Sequence, residues 1–460
     1  MRSVIVIGGG ISGLAAAWEM RGRAQVTVLE AGARVGGKLR TGSLAGIPVD
    51  EGAESLMALR PEAVRLAEEV GLGDALRDPA PAPVTLWTGD ALRPLPAGHV
   101  LGIPPDPSAL AGTGLLSPEG LARLAQEEAL TARPVDTDLT VADHLVPRIG
   151  QEAVDRLVEP LLGGIYAGRT DQLSLRSAMP GIAAIAATGD SLLATLRRRA
   201  QARAAHPGPR PVVVRGIAGG TGRLPLAVAA ASGARVLTRS TALAVERAPG
   251  NRWRVHAVTG QGPLTLDADA IVLALPAPAA ASLLRPHSPA AHAELTAVRY
   301  AGSGVLTMAF PRTADDPPPE LNGFLVPPVD GRTIKAATFL SHKWAWQHDE
   351  APSTLVLRAS VGRAGEEHLL ELDDRRLTAL ARAELGEAVG PLGEPLATRV
   401  TRWRHGLPQY EVGHADRVAA LRDAIGKLPG TEMCGALFEG VGVAACVASG
   451  RAAATRLLEL

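Results

Sequence analysis

Near its start the chain reads Val4-Ile5-Val6-Ile7-Gly8-Gly9-Gly10-Ile11-Ser12-Gly13. The four β-branched residues predict a buried strand, and the glycines after them satisfy the pattern G-x-G-x-x-G. A helical stretch from Ser12 to about Gly22 and a second strand from Gln25 to Glu30 follow. The order of strand, glycine turn, helix and strand predicts a βαβ unit and therefore an α/β fold.

The spacing of these glycines and of the next acidic residue indicates a dinucleotide site. Gly8 permits a tight turn, Gly10 lets the backbone approach a pyrophosphate, and Gly13 lets the helix pack closely on the strand. Glu30 ends the second strand 20 residues after Gly10, where its carboxylate can accept hydrogen bonds from ribose hydroxyls. An acidic residue there disfavours a 2′-phosphate, so FAD or NAD is favoured over NADP. Because no Gly-Lys-Ser/Thr ending follows the glycines, a P-loop is excluded.

The composition excludes several other classes of protein. The 460 residues carry 47 basic and 47 acidic side chains and only 3% are aromatic, so binding of nucleic acid is not expected. The two cysteines, Cys434 and Cys446, have no neighbours at metal-ligand spacing and predict a reducing compartment and no metal site. We find neither a signal-peptide core nor an apolar run of about 18 residues. We therefore expect a cytoplasmic protein without a transmembrane segment, for which a peripheral membrane contact stays open.

Changes in composition and in hydrophobic pattern along the chain predict three domains. Strands and helices alternate in residues 1–80, 211–285 and 400–460, which predicts one discontinuous, Rossmann-like cofactor domain. Residues 81–210 are punctuated by proline and then helical, and they predict an inserted, mainly helical domain. Residues 286–399 carry short alternating runs and then a charged helix, which predicts a substrate domain with a second, mixed sheet.

Several further motifs resemble one family of flavoenzymes. The first are Glu30-Ala31-Gly32-Ala33-Arg34-Val35-Gly36-Gly37-Lys38 and Val49-Asp50-Glu51-Gly52-Ala53-Glu54-Ser55. The others are residues 161–176, Gly219 to Pro225, Trp403 to Tyr410 with His414, and the closing segment Gly435 to Gly450. In this order they are similar to the FAD-dependent amine-oxidase superfamily, and within it to the bacterial protoporphyrinogen and coproporphyrinogen oxidases.

This resemblance implies non-covalently bound FAD and a set of residues that contact it. The chain has no cysteine near Trp403 that could carry a covalent flavin. Arg34 is expected near the phosphates, and Ala242 is expected to contact adenine through its backbone, at a position where the family usually has valine. Lys38 stands where some relatives have a bulkier aromatic residue or an arginine. The expected FAD contacts are Gly8, Gly9, Gly10, Ile11, Ser12, Gly13, Glu30, Ala31, Arg34, Gly37, Lys38, Gly52, Ala53, Glu54, Ser55, Ala242, Trp403, Val441, Gly442 and Val443.

The resemblance also implies a reaction in haem biosynthesis. Coproporphyrinogen III would be oxidised to coproporphyrin III by three hydride transfers to FAD, and O2 would reoxidise the flavin with release of peroxide. No residue is identified as an essential acid or base. The propionates of the substrate need cations, and the candidates are Arg60, Arg176 and Lys335, with an ordinary solvated charge as the alternative for each. Tyr166 is the candidate for a contact with the macrocycle, with core packing as its alternative.

Three other functions stay open. Protoporphyrinogen IX is the alternative substrate, although the four propionates of coproporphyrinogen III better suit a polar pocket in a protein without a membrane segment. A flavin amine oxidase is less favoured, because Val441 matches the position where such enzymes place an aromatic residue beside the flavin. A FAD-binding protein without turnover is the third. Whether an enzyme of the haem pathway is a partner also stays open.

Overall fold

The computed structural model describes residues 1–130, 133–205, 212–313, 316 and 320–459, so the predicted boundary between 210 and 211 lies outside the described residues. The strands are β1 Arg2–Ile7, β2 Ala24–Leu29, β3 Thr41–Leu44, β4 Ile47–Asp50, β5 Leu56–Met57, β6 Leu76–Arg77, β7 Thr85–Thr88, β8 Ala91–Pro94, β9 Val214–Ile217, β10 Arg235–Leu237, β11 Ser240–Ala248, β12 Arg252–Thr259, β13 Gly262–Ala268, β14 Ala270–Leu273, β15 Tyr300–Pro311, β16 Gly323–Leu325, β17 Ile334–Phe339, β18 Thr354–Val361, β19 Ala397–Pro408 and β20 Thr431–Met433. The α-helices are α1 Ile11–Glu19, α2 Glu62–Glu69, α3 Pro118–Ala125, α4 Val141–Ile149, α5 Gln151–Ala153, α6 Glu159–Tyr166, α7 Leu175–Ala178, α8 Pro180–Thr188, α9 Leu192–Ala205, α10 Arg223–Ala231, α11 Ala277–Leu284, α12 Pro289–Thr296, α13 Leu340–Lys343, α14 Ala345–Glu350, α15 Asp374–Val389, α16 His414–Gly426 and α17 Val443–Glu459.

Five parallel strands form the sheet that confirms the predicted α/β class. Their order is β10-β2-β1-β14-β20, so strands from three separate stretches of the chain lie side by side. Val4 and Val6 point to one face and pack with α1 and α17. Ile5 and Ile7 point to the other face, where they pack with the three-stranded sheet β11-β12-β13 and with α11 and α12. Because both faces are covered, β1 consists largely of buried β-branched residues, as is typical of parallel sheets.

A mixed sheet of seven strands is the second sheet that the sequence predicts. Its order is β19-β15-β18-β17-β16-β7-β8, and its pairs are antiparallel except for β16 and β7. Helix α15 covers one face, where Leu377 and Leu385 pack with Phe339 and Leu357. The opposite face contacts Glu51 and Gly52, which follow β4.

The strand pairing departs from the predicted domain boundaries at two points. β7 and β8 lie in the segment 81–210 but join the seven-stranded sheet as a hairpin, in which Gly89 and Asp90 have φ values of +55° and +57°. Such a two-residue turn is typical of hairpins, and its Gly-Asp sequence was a signal for it. β19 also joins this sheet, although most of it lies beyond residue 400. In both cases pairing with a distant strand decides the position, and local composition does not reveal such pairing.

Candidate functional site

The glycine turn after β1 is crowded on one side and open on the other. Gly8 has a φ of +112°, and a Cβ on it would lie 2.3 Å from the carbonyl oxygen of Ala274. A Cβ on Gly13 would lie 2.1 Å from the Gly8 oxygen, so α1 packs directly against the turn. A Cβ on Gly10 would meet nothing within 4 Å, and no side chain caps α1 at this residue. The turn therefore leaves both space and helix N–H groups for an anionic ligand.

The Glu30 carboxylate is tied to the same turn. It accepts hydrogen bonds from the Gly9 amide at 2.9 Å and from the Gly32 amide at 2.6 Å. The Glu30 carbonyl oxygen accepts from the Ser240 amide at 2.8 Å, so β11 begins beside the end of β2. Ala242 follows two residues farther along β11, at a bulge in its pairing with β12. Glu30 and Ala242 therefore lie on neighbouring strand ends.

The loop after β2 returns to the glycine turn. A Cβ on Gly37, which has a φ of +57°, would lie 3.4 Å from the Cα of Gly10. Lys38 is partly buried, and burial lowers the pKa of its ammonium group. A Cβ on Gly52 would lie 1.9 Å from the Lys38 carbonyl oxygen, so the backbone of the next loop touches this one directly. Predicted cofactor residues from three separate motifs thus lie in contact.

Arg34 has partners within the protein. Its Nη1 donates to the Thr41 carbonyl oxygen at 3.1 Å, and its Nη2 lies 3.5 Å from a carboxylate oxygen of Glu51. The Glu51 side chain is only 1% exposed and also pairs with Arg40 and Arg399. These contacts hold Arg34 beside Glu51, and its predicted place near the phosphates stays a prediction.

The turn after β4 is fastened to the seven-stranded sheet. Trp403 on β19 donates from Nε1 to the Glu51 carbonyl oxygen at 2.7 Å. Arg358 on β18 donates from Nη2 to the Gly52 carbonyl oxygen at 2.6 Å. At the start of the turn, Asp50 is buried, and burial raises the pKa of its carboxyl although it accepts hydrogen bonds from Thr41 and Thr221. The conformation of this turn therefore depends on residues of the distant sheet.

Both carboxylate oxygens of Glu54 have partners from the end of α13. Lys343 Nζ lies 2.5 Å from Oε1, and the indole Nε1 of Trp344 donates to Oε2 at 2.8 Å. Burial alone would raise the pKa of this carboxyl, but Lys343 and Arg358 beside it hold the pKa below its usual value. The side chain of Glu54 thus joins the turn to α13.

The closing segment brings the amino end of α17 to the same region. A Cβ on Gly450 would lie 2.1 Å from the Ser12 carbonyl oxygen, so α17 packs directly on α1. Val441 and Gly442 immediately precede the helix. Arg60 reaches this segment, because its Nη1 donates to the Glu439 carbonyl oxygen at 3.3 Å.

Two residues that follow β19 form hydrogen bonds to the backbone of the closing segment. The Tyr410 hydroxyl donates to the Ala436 carbonyl oxygen, and a ring nitrogen of His414 lies 3.0 Å from the Leu437 carbonyl oxygen. The rings of Tyr410 and His414 stack with centroids 3.9 Å apart. The motif that begins at Trp403 therefore contacts both the turn after β4 and the closing segment.

Of the four candidate substrate residues, Arg60 and Arg176 are exposed. Arg60 lies at the closing segment, as described above. Arg176 lies at α7, where its guanidinium donates to the Asp136 carbonyl oxygen and its amide to the Asp138 carboxylate at 3.4 Å. Arg60 thus lies at the closing segment, whereas Arg176 contacts residues 136 and 138.

Tyr166 and Lys335 are buried instead. Tyr166 is 8% exposed in the core of helices α3 to α9, and its hydroxyl donates to the Ala178 carbonyl oxygen at 3.4 Å, which favours core packing. Lys335 is 6% exposed, and its Nζ donates to Ser303 Oγ at 3.0 Å and to the Gly362 carbonyl oxygen at 2.6 Å. Burial lowers the pKa of the Lys335 ammonium group to about 7.

Comparison with known proteins assigns the family. Residues 11–458 match the family described as flavin containing amine oxidoreductase. The chain belongs to this family. A curated relative, coproporphyrinogen III oxidase of Mycobacterium tuberculosis (strain ATCC 25618 / H37Rv), is 36% identical over 471 aligned residues that cover 100% of this chain and 98% of the relative. The coproporphyrinogen III oxidase of Bacillus subtilis (strain 168) is 31% identical and covers 99% of this chain and 98% of its own length.

A solved structure agrees with this assignment. A crystal structure from Exiguobacterium sp. 255-15, provisionally named a protoporphyrinogen oxidase, superimposes with a TM-score of 0.87 at 30% identity. The superposition covers 100% of this chain and 99% of that one. The predicted family is therefore confirmed, and the chain is a flavin-dependent oxidoreductase.

The geometry around Gly10 fits the flavin nucleotide that a flavin-containing amine oxidoreductase binds. Open space beside Gly10 and the uncapped start of α1 suit a diphosphate. The Glu30 carboxylate at the end of β2 suits a ribose. Within the described residues, no group of three side chains could hold a metal ion, and no helix has the length and hydropathy needed to cross a membrane.

Sequence analysis missed three residues of this site. They are Arg358, Lys343 and Trp344, and none of them belongs to a motif identified in the sequence. Arg358 is the single charged residue of β18, which reads Thr354-Leu355-Val356-Leu357-Arg358-Ala359-Ser360-Val361. A charge inside such an apolar strand was the available signal, because a buried charge needs a partner. Lys343 and Trp344 gave no such signal, since a charged residue beside an aromatic one is common on protein surfaces.

Proposed function

We propose that this flavin-containing amine oxidoreductase oxidises coproporphyrinogen III to coproporphyrin III, with non-covalent FAD as cofactor and O2 as electron acceptor. The full-length similarity to coproporphyrinogen III oxidases of two genera, at 31% and 36% identity, carries the proposal. The oxidation removes six electrons and six protons from the substrate, and these reduce three molecules of O2 to three of H2O2.

The residues placed around Gly10 would hold FAD as follows. The start of α1 would bind the diphosphate, Glu30 the ribose, and the backbone at Ala242 the adenine. The flavin would lie between the turn after β4 and the amino end of α17, where Val441, Gly442 and Val443 lie. When bound, FAD accepts a hydride from the substrate in each of three rounds and is reoxidised by O2.

The cysteines support non-covalent binding. Cys434 and Cys446 are both free and buried, and burial raises the pKa of both thiols, so neither is present as a reactive thiolate near neutral pH. Free cysteines also suit a reducing compartment, for which we propose the cytoplasm. We further propose that a haem-pathway enzyme takes up the porphyrin product.

Among the candidate substrate residues, Arg60 is favoured for binding a propionate. It is exposed at the closing segment, next to the proposed flavin position, and a guanidinium binds carboxylates through two parallel hydrogen bonds. Lys335 already has two acceptors inside the protein, Arg176 lies at α7, and Tyr166 packs in the helical core. These three stay secondary candidates.

The test is oxidation of chemically reduced porphyrinogens in air. The holoenzyme is mixed with coproporphyrinogen III or, in parallel, with protoporphyrinogen IX, and porphyrin fluorescence is followed above the spontaneous rate. We expect a higher kcat/KM with coproporphyrinogen III and three molecules of peroxide per porphyrin. A higher kcat/KM with protoporphyrinogen IX would favour the activity named for the Exiguobacterium structure. No oxidation of either compound, with the flavin fully bound, would refute the proposal.

A further inference from the structure

Arg358 lies in a row of residues that crosses the seven-stranded sheet. On β15, Thr307 pairs with Arg358 of β18 on one side and with Arg399 of β19 on the other, and Arg358 pairs in turn with Thr338 of β17. Residues directly opposite one another in a sheet share a face. The Arg358 guanidinium contacts Gly52, so this whole row faces the turn after β4.

The Arg358 guanidinium is buried and only partly bonded. Nη2 donates to the Gly52 carbonyl oxygen at 2.6 Å, whereas Nη1 is shielded from solvent and has no hydrogen-bond partner among the described residues. A guanidinium carries five N–H donors in a planar fork, and a buried donor without an acceptor is unfavourable. The fork therefore has donors available for an acceptor that the protein itself does not supply.

The neighbouring carboxylates already have other partners. Glu54 is bonded to Lys343 and Trp344, and Asp50 accepts from Thr41 and Thr221. Lys335 lies close enough to Arg358 to interact electrostatically. Among the described residues, no carboxylate forms an ion pair with the Arg358 guanidinium, and Asp50 and Glu54 act on it only electrostatically.

We propose that Arg358 anchors a carboxylate group of the substrate. In the proposed function, on which this inference rests, that group is a propionate of coproporphyrinogen III. Arginine binds carboxylates through a planar, bidentate pair of hydrogen bonds, and a carboxylate supplies the missing acceptor. Because Gly52 fixes the guanidinium, binding the carboxylate would also set the position of the macrocycle relative to the turn.

The test compares substrates with and without carboxylates in Arg358→Gln and Arg358→Lys variants. Coproporphyrinogen III and its tetramethyl ester are assayed in the same detergent. For Arg358→Gln, assayed at saturating FAD because Arg358 also holds Gly52, we expect KM to rise about 10- to 100-fold more with the acid than with the ester. Arg358→Lys, which keeps the charge but loses the fork, should show a smaller rise. The control is Arg382→Gln, because Arg382 lies on α15 over the opposite face of the sheet and pairs with Glu394.

A binding measurement makes the test independent of turnover. Quenching of porphyrin fluorescence gives the affinity of the oxidised holoenzyme for coproporphyrin III and for its ester. We expect Arg358→Gln and Arg358→Lys to weaken binding of the acid more than binding of the ester. Equal effects on acid and ester at saturating FAD, or an unchanged affinity in both variants, would overturn the proposal. A wild-type protein that binds coproporphyrin III through Arg358 but oxidises no porphyrinogen would refute the proposed function and leave this inference standing.

Discussion

The indole Nε1 of Trp403 donates a hydrogen bond to the carbonyl oxygen of Glu51 at 2.7 Å, although the two residues are 352 positions apart in the chain. This bond joins an outer strand of the seven-stranded sheet to the turn that we assign to the flavin. A residue predicted as a cofactor contact therefore also holds in place a turn that contains other predicted cofactor contacts.

Replacing Trp403 by Phe keeps an aromatic ring but removes the donor. The Glu51 carbonyl oxygen then loses its partner in a partly buried position, so the free energy of unfolding should fall by about 1–3 kcal/mol. FAD should also dissociate more readily, since the turn is held less firmly. The measurements are denaturant unfolding of the apo-protein and the Kd of FAD.

The matched control for this prediction is Trp346→Phe. The indole Nε1 of Trp346 is buried without a hydrogen-bond partner among the described residues, so its removal should cost little. Equal loss of stability in Trp403→Phe and Trp346→Phe would show that the bond to Glu51 contributes nothing beyond ring packing.

Two alanine substitutions in the glycine turn should separate folding from cofactor binding. Gly10→Ala adds a Cβ that meets no protein atom within 4 Å, so the apo-protein should keep its Tm. The same methyl group would enter the space proposed for the diphosphate, and the Kd of FAD should rise about tenfold or more.

Gly13→Ala should behave in the opposite way. Its Cβ would lie 2.1 Å from the Gly8 carbonyl oxygen, so α1 must move and the apo-protein itself should be destabilised. Thermal unfolding of both apo-proteins and FAD titration of Gly10→Ala are the measurements. A destabilised Gly10→Ala apo-protein that binds FAD normally would contradict the assignment of the open side to the cofactor.

The glycine turn illustrates which parts of the structure can be predicted from local sequence. The tight turn at Gly8, the close packing at Gly13 and the position of Glu30 directly after β2 were predictable because they depend on spacing within one βαβ unit. The places of Trp403 and Arg358 were not, because pairing between strands far apart in the chain decides them. The burial of Lys335 likewise follows from a sheet that only tertiary packing assembles, which is why it resembled a surface cation in the sequence.

Removing only one partner of the ion pair between Lys343 and Glu54 should strongly destabilise the folded protein. Their side chains are 17% and 13% exposed, and the distance from Nζ to Oε1 is 2.5 Å. Lys343→Met leaves the Glu54 carboxylate without its ammonium partner and should lower the free energy of unfolding by about 3–5 kcal/mol. It should also raise the pKa of Glu54, because Lys343 helps to hold that pKa low.

A double-mutant cycle with Glu54→Gln isolates the pair. The double variant should recover part of the stability lost in Lys343→Met, since the uncompensated charge is gone. Denaturant unfolding of the four proteins provides the coupling free energy. Strictly additive losses would mean that Lys343 stabilises the protein by packing rather than through Glu54.

Lys335 should make the stability of the protein depend on pH in the alkaline range. Burial lowers the pKa of its ammonium group from 10.5 to about 7 in the folded protein. Between these values the unfolded chain binds a proton that the folded protein does not, so stability falls as the pH decreases from 10.5 to about 7. Relative to wild type, Lys335→Met should therefore become more stable by about 1.4 kcal/mol for each unit of decreasing pH in this window. Below the folded pKa the difference should stay constant.

Denaturant unfolding between pH 7 and pH 10 measures this slope, and Lys427→Met, which replaces an exposed lysine, is the control. A difference between Lys335→Met and wild type that does not change with pH would show that the ammonium group keeps its charge in the folded protein, with Ser303 and Gly362 as sufficient acceptors.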